Sequence, residues 1–191
     1  MARNFLKPED RERIFIIDSL NASAGEALIV LKAIDLIESG EEIEKIVKEI
    51  EKLVPQIHLS GMLEDPKWLE ASGRISHLVA NILRRMAQAG IRSLLALRKG
   101  VLAPAGIKTG AKDIPTALFK QFEKETRKLR KKGKKIRVVI THGDNLKGAQ
   151  RLKEMIEKEF KNTEVAFLNI IDNVLGVLTG PNALVCAWCE A

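Results

Sequence analysis

The chain has 191 residues, of which 46% are hydrophobic and 30% are charged, and its formal net charge is +7. This balance lets a chain of that length bury a hydrophobic core, which excludes an intrinsically disordered protein. Its apolar runs are shorter than the roughly 18 residues of a transmembrane helix, and Arg11, Glu12 and Arg13 interrupt any secretory signal pattern. We therefore expect a cytoplasmic protein without a transmembrane segment.

The beginning of the chain predicts one strand and two helices. An apolar run at residues 14–17 is typical of a short strand. Residues 24–38 are apolar nearly all round a helix, so we expect that helix to be buried between layers. A second helix with one apolar face continues to Pro55, where the composition changes. We place a domain boundary there, between residues 1–54 and residues 55–191.

The second part of the chain alternates strands and helices. In chain order the patterns predict a strand at 56–62, a helical turn at 64–71, an amphipathic helix with an apolar stripe from Ile75 to Met86, a hairpin at 91–108, a helix at 114–132, a strand at 136–141, a helix at 146–160, a strand at 163–170, a loop at 172–182 and a last strand at 183–188. The unit at 136–170 predicts two parallel strands. The fold class is therefore α/β (α+β), a two-layer mixed sheet with helices packed on it.

Catalytic and metal-binding patterns are weak in this sequence. The three histidines lack metal-ligand spacing, and no nucleophile is paired with a base. Cys186 and Cys189 form a C-x-x-C pattern, but they lie on a predicted strand, where positions i and i+3 face opposite ways. An enzyme built around His142 and Asp144 is the alternative that we favour less. We expect a protein that is not an enzyme and that has no metal and no cofactor.

Two loops could hold an anionic group. His142 follows a predicted strand and precedes a helix, a place where α/β proteins often bind ligands. An ordinary turn explains that segment equally well. The second loop contains Leu178, Thr179 and Gly180, and its hydroxyl and backbone N–H groups could hold an anionic head group. Taken alone, this loop is also consistent with a plain turn.

The positive charge is concentrated in one segment. Ten basic residues lie between Lys120 and Arg137. Such a cluster can bind nucleic acid or an anionic membrane, which would make the protein an interaction or regulatory protein. The other interpretation is a solvated helix end, where cations complement the helix dipole. We favour the solvated helix end, so nucleic acid is not the expected partner.

Five motifs follow one another along the chain. They are Ile17-Asp18-Ser19 followed by Ser23, Leu69-Glu70-Ala71-Ser72-Gly73-Arg74-Ile75-Ser76, Gly106-Ile107-Lys108-Thr109-Gly110, Thr141-His142-Gly143-Asp144, and Thr179-Gly180-Pro181-Asn182-Ala183-Leu184. In this order they resemble the DegV family of bacterial fatty-acid-binding proteins. The resemblance implies two α/β lobes, with residues 1–54 as the end of the first lobe and residues 55–191 as the second. It also implies that the protein binds a fatty acid and presents it to a fatty acid kinase related to dihydroxyacetone kinases.

The resemblance also implies a site. The lipid-binding residues would be Arg74, Ile75, His142, Leu178, Thr179 and Gly180. The acyl tail would lie between the helix at 75–86 and the sheet, and the carboxylate would lie at the lobe junction. This sequence departs from the family pattern at Leu178, where many members have a histidine, and in the turn at 107–111, which lacks the family's arginine. The family's N-terminal hydroxyl motifs have no counterpart in this sequence.

Overall fold

A computed structural model of the chain describes residues 2–89, 91–109, 111 and 113–191. Within these residues six strands form one sheet. They are β1 (His58–Met62), β2 (Ile91–Arg98), β3 (Val101–Thr109), β4 (Ile136–His142), β5 (Thr163–Ile170) and β6 (Leu184–Glu190). The strand order is β3-β2-β1-β6-β4-β5, in which β4 and β5 are parallel and the other neighbours are antiparallel. The predicted mixed sheet and its parallel pair are confirmed.

Helices pack on both faces of this sheet. They are α1 (Pro8–Arg11), α2 (Ala24–Glu38), α3 (Ile43–Leu53), α4 (Lys67–Ala71), α5 (His77–Gln88), α6 (Ile114–Lys131), α7 (Leu146–Glu159) and α8 (Asn173–Thr179), with 3-10 turns at Ala2–Phe5 and Val54–Gln56. None of the helices in the described ranges is both long and apolar enough to cross a bilayer.

Strand β6 shows why the sheet is covered on both sides. Its buried residues alternate between two hydrophobic clusters. Cys186 and Trp188 pack with α6 and α7, whereas Val185, Ala187 and Cys189 pack with α2. We call these two sides the α6/α7 face and the α2 face. The two cysteines therefore lie on opposite faces, as their spacing predicts.

Two predicted elements are wrong. Residues 14–17 form no strand, because the described part of the chain offers no neighbouring strand to pair with, and Ile16 is 65% exposed. The segment predicted as a loop at 172–182 contains α8. This helix begins because the Asp172 carboxylate accepts hydrogen bonds from the backbone N–H groups of Val174 and Leu175.

Two predicted burial patterns are also wrong. Helix α2 has the predicted bounds, but only one side of it is buried: Leu28 packs on the sheet, while Val30 and Ile37 are exposed. Helix α5 buries Ala80, and Leu78 on its predicted apolar stripe is 70% exposed. In both helices, apolar residues occupy more of the circumference than the sheet covers.

Candidate functional site

A cavity of about 480 Å³ lies on the α2 face of the sheet. Its floor is built by alternate residues of three neighbouring strands, which point to the same side. Gly61 of β1 lies in this floor, and because it has no side chain it leaves the cavity open there. Apolar side chains from the strands, from the segments that follow β1 and β5, and from α4 and α8 complete most of the lining; they include Leu59, Leu63, Leu69, Leu95, Ile171 and Leu175.

Only three polar side chains line the cavity within the described residues: Ser23, Arg74 and Thr179. The Thr179 hydroxyl donates a hydrogen bond to the Leu175 carbonyl oxygen at 2.9 Å, so it is satisfied inside α8. Arg74 is exposed at the rim, after a turn in which Gly73 adopts a φ of +71°. The cavity is therefore apolar, with one formal charge, which is positive. A ligand with a hydrocarbon body and an anionic end matches this lining.

Ser23 immediately precedes α2. Its hydroxyl lies 2.6 Å from the hydroxyl of Thr141, at the end of β4, and either group can donate. This contact joins the start of α2 to the sheet across 118 positions of sequence.

Three of the six predicted site residues meet at this cavity: Arg74, Leu178 and Thr179. Ile75 is half-buried and lies outside the lining. Gly180 ends α8 with a φ of +72°, and a Cβ atom added there would lie 2.1 Å from the Trp68 ring. Gly180 therefore lets α8 approach α4, which makes it a packing residue of the cavity wall.

His142 lies on the other side of the sheet. It is opposite Leu184, which belongs to the α6/α7 cluster, and it is only 6% exposed. Its Nδ1 atom accepts a hydrogen bond from the Asn145 backbone N–H at 3.2 Å. Burial lowers the pKa of His142, although the nearby Asp144 carboxylate opposes that shift. The structure therefore places His142 at the end of β4, on the face of the sheet opposite the cavity.

The predicted tail site lies next to the observed cavity. Helix α5 packs against β2 and leaves a space of only about 50 Å³ under Leu83 and Ala87. The larger cavity shares Leu63, Leu69 and Leu95 with that space. The structure thus offers the room for a tail beside the region under α5.

The floor residues and Ser23 were not among the predicted site residues. Leu95 and Leu97 alternate along β2, as Leu59 and Gly61 do along β1. This period of two in the sequence could have identified the residues that face the cavity. No sequence pattern pointed to the pairing of Ser23 with a residue 118 positions away.

The basic segment between Lys120 and Arg137 does not form one free surface. Arg130 lies over the Phe160 ring, 4.1 Å from its centroid, and Lys134 pairs with Glu190 at 2.7 Å. Arg137 pairs with Asp35 of α2. Part of the cluster therefore stabilises the fold. These contacts make a nucleic-acid or membrane surface a weaker interpretation than it was from the sequence alone.

Two observations on the described residues concern metal binding and thiol chemistry. Within the described ranges, no group of three or more His, Cys, Asp or Glu side chains could hold a metal ion. Burial raises the pKa of Cys189 to about 11, and it also raises the pKa of Cys186. Both thiols therefore stay protonated near neutral pH, and a protonated thiol is a poor nucleophile.

A family model described as "Uncharacterised protein, DegV family" matches residues 1–191. The chain belongs to the DegV family. The fatty acid-binding protein of Thermotoga maritima is 24% identical over 176 residues, which is 90% of this chain and 57% of that protein. This DegV chain thus spans less than two thirds of the length of that relative.

Solved structures share the fold. The Streptococcus pneumoniae Fatty Acid Kinase (Fak) B3 protein loaded with linoleic acid gives a TM-score of 0.76 at 23% identity, covering 100% of this chain and 64% of that one. A DegV family protein from Eubacterium eligens loaded with heptadecanoic acid gives a TM-score of 0.75 at 21% identity, covering 96% and 63%. At these identities the likeness establishes a DegV fold for this chain.

Proposed function

We propose that this DegV chain binds a long-chain fatty acid and does not itself catalyse a reaction. The observation that carries the proposal is the 480 Å³ apolar cavity, with Arg74 as the one charged side chain of its described lining. The acyl tail would occupy the floor formed by β1, β2 and β6, and the carboxylate would remain near the polar lining. The fatty acids named in the two structural relatives are the same class of ligand.

Burial of the tail supplies most of the affinity in this proposal. Each methylene removed from water contributes about 0.8 kcal/mol. About ten buried methylenes would then give some 8 kcal/mol before the entropy costs of binding. A site with few polar contacts can therefore still hold a long acyl chain.

We also propose that the bound acid is presented to a fatty acid kinase. The family resemblance supports this role, and so does the Fatty Acid Kinase B3 name of the pneumococcal relative. The kinase would transfer the phosphoryl group of ATP to the carboxylate, while this chain would keep the tail out of water.

The experiment that tests binding uses the delipidated protein and palmitate. We expect fatty acid to be released from the purified protein on denaturation, as seen by mass spectrometry. Palmitate at about 100 times its Kd should stabilise the folded state by about 2.7 kcal/mol, which for a chain of this size raises Tm by roughly 5–10 °C. If no lipid is released and Tm does not change, the proposed function is wrong.

Gly61→Leu tests whether the tail occupies this cavity. A Cβ atom at Gly61 would lie 3.4 Å from a Val185 methyl group, which lies at the border of ordinary contact, so the larger side chain would extend into the cavity. Displacing about two methylenes costs about 1.6 kcal/mol, so we expect palmitate to bind at least tenfold more weakly in calorimetric titration. Gly176→Leu is the matched control, since Gly176 lies outside the lining with open space around it. Unchanged affinity of Gly61→Leu would place the tail elsewhere.

A further inference from the structure

The backbone of Ser23 is unusual for a serine. Its φ is 51° and its ψ is −120°, in a region that non-glycine residues rarely adopt. Serine at this position, just before a helix, normally caps the helix with its side chain, but the Ser23 hydroxyl makes no such bond. It is directed to Thr141 instead. Residues held in a sparsely populated conformation of this kind cluster at ligand-binding sites.

The hydroxyl pair of Ser23 and Thr141 has one hydrogen that their mutual bond does not use. Thr141 is 5% exposed, and within the described part of the chain the Ser23 hydroxyl is the one hydrogen-bond partner of the Thr141 hydroxyl. The two hydroxyls carry two hydrogens, and the bond between them uses one. When Thr141 donates to Ser23, the Ser23 hydrogen remains available. Ser23 lines the cavity, so that donor can serve a ligand inside it.

The other polar side chains of the cavity leave this role to Ser23. Thr179 already donates to the Leu175 carbonyl oxygen, and Arg74 is exposed at the rim. Ser23 is half-buried, and its hydroxyl is anchored to the sheet. A hydroxyl in an apolar cavity needs an acceptor, and a bond to a carboxylate is shorter and stronger than a bond to a neutral oxygen.

We propose that Ser23 donates a hydrogen bond to the carboxylate of the bound fatty acid. Thr141 is a positioning residue that donates to Ser23 and so directs the Ser23 hydrogen into the cavity. Arg74 contributes charge at the rim. This inference rests on the proposed fatty-acid binding, and it assigns the recognition of the carboxylate to a pair of hydroxyls at the junction of α2 and β4.

The test compares palmitic acid with methyl palmitate, which has the same tail and no negative charge. Ser23→Ala should weaken palmitate binding by about tenfold or more, because a hydrogen bond to a charged group is lost. Binding of the ester should change by no more than a few-fold. Ser23→Gly removes the same hydroxyl and accepts the positive φ without strain, so it should give the same loss of selectivity in a fully folded protein.

Thr141 is tested by two substitutions. Thr141→Val should reduce the preference for acid over ester, while Thr141→Ser keeps the hydroxyl and should retain that preference. Ser39→Ala is the matched control, since the Ser39 hydroxyl binds the Asp35 carbonyl oxygen just after the other end of α2. Arg74→Ala combined with Ser23→Ala should show non-additive losses if both side chains act on one carboxylate.

The possible results separate this inference from the proposed function. If the wild-type protein binds palmitate and Ser23→Gly binds it equally well, Ser23 does not recognise the carboxylate, and the inference alone is overturned. If the wild-type protein binds neither probe, the proposed function is wrong, and the inference is rejected with it.

Discussion

His142 shows how one buried side chain couples stability to pH. Its Nδ1 atom accepts the Asn145 N–H, which requires an unprotonated nitrogen at that position. Burial holds the pKa of His142 below its usual value near 6.5. In the unfolded chain the same histidine takes up a proton at a higher pH. Below about pH 6.5 the unfolded state therefore binds more protons, and the folded state loses stability as the pH falls.

We expect the free energy of unfolding to decrease as the pH is lowered from 7.5 to 5.5. His142→Asn keeps a hydrogen-bond acceptor at the turn but does not titrate, so its urea unfolding curves should depend less on pH. An equal pH dependence of His142→Asn and the wild-type protein would contradict the role of His142.

The same residues show what the sequence could reveal about the site. Arg74 and Thr179 were predicted from motif order, and the structure brings both to the cavity. His142 belongs to the same motif series, yet its position in β4 turns its side chain to the other face. A motif identifies a loop, whereas strand register decides which of its side chains face the ligand.

Helix α8 was not predicted from the sequence. It has seven residues, among them Gly176 and two β-branched valines, so its intrinsic helix propensity is low. The helix forms because Asp172 caps it and because Leu175 and Leu178 contribute to the cavity wall. The cap is a local contact, and the aspartate before this segment was an available signal for a helix start. The packing of Leu175 and Leu178 depends on the tertiary structure, so composition alone predicted a loop.

Asp172→Ala tests the contribution of this cap. Loss of an N-terminal cap costs about 1 kcal/mol, and we expect most of that cost in local opening of α8. The amide hydrogens of the last turn of α8 should exchange faster, and palmitate should bind more weakly, because α8 carries part of the lining. Asp172→Asn, which retains a capping oxygen, should behave like the wild-type protein. Unchanged exchange in Asp172→Ala would mean that packing alone holds α8.

Long elements were predicted well because their periodic pattern extends over many residues. Helices α6 and α7 repeat their apolar residues over several turns, and Thr163–Ile170 has the predicted bounds as β5. Residues 14–17 have the composition of a strand, but a strand exists only through its hydrogen-bonded neighbour. The sequence of a four-residue segment carries no information about such a neighbour.

At the scale of the whole molecule, one hydrophobic core crosses the predicted boundary at residue 54. Ala24 and Leu28 of α2 share a buried cluster with Val139 and Val185 of the sheet. Arg137 of β4 also pairs with Asp35 of α2. Helix α2 therefore covers the same face of the sheet as the one on which the cavity lies. These contacts join residues on the two sides of the boundary in one packed structure, and we expect them to unfold together.

Leu28→Ala tests this cooperativity. Leu28 is 1% exposed, and truncating a buried leucine to alanine costs 2–5 kcal/mol. Trp188 lies in the cluster on the α6/α7 face, so its fluorescence in a Trp68→Phe background reports on the other side of the sheet. If the chain unfolds as one unit, Leu28→Ala lowers the free energy of unfolding obtained from the Trp188 urea curve by the full 2–5 kcal/mol. Val30→Ala, at a residue of the same helix that is 56% exposed, should change that free energy of unfolding by less than about 0.5 kcal/mol. A Trp188 midpoint that does not respond to Leu28→Ala would show that α2 detaches before the sheet unfolds.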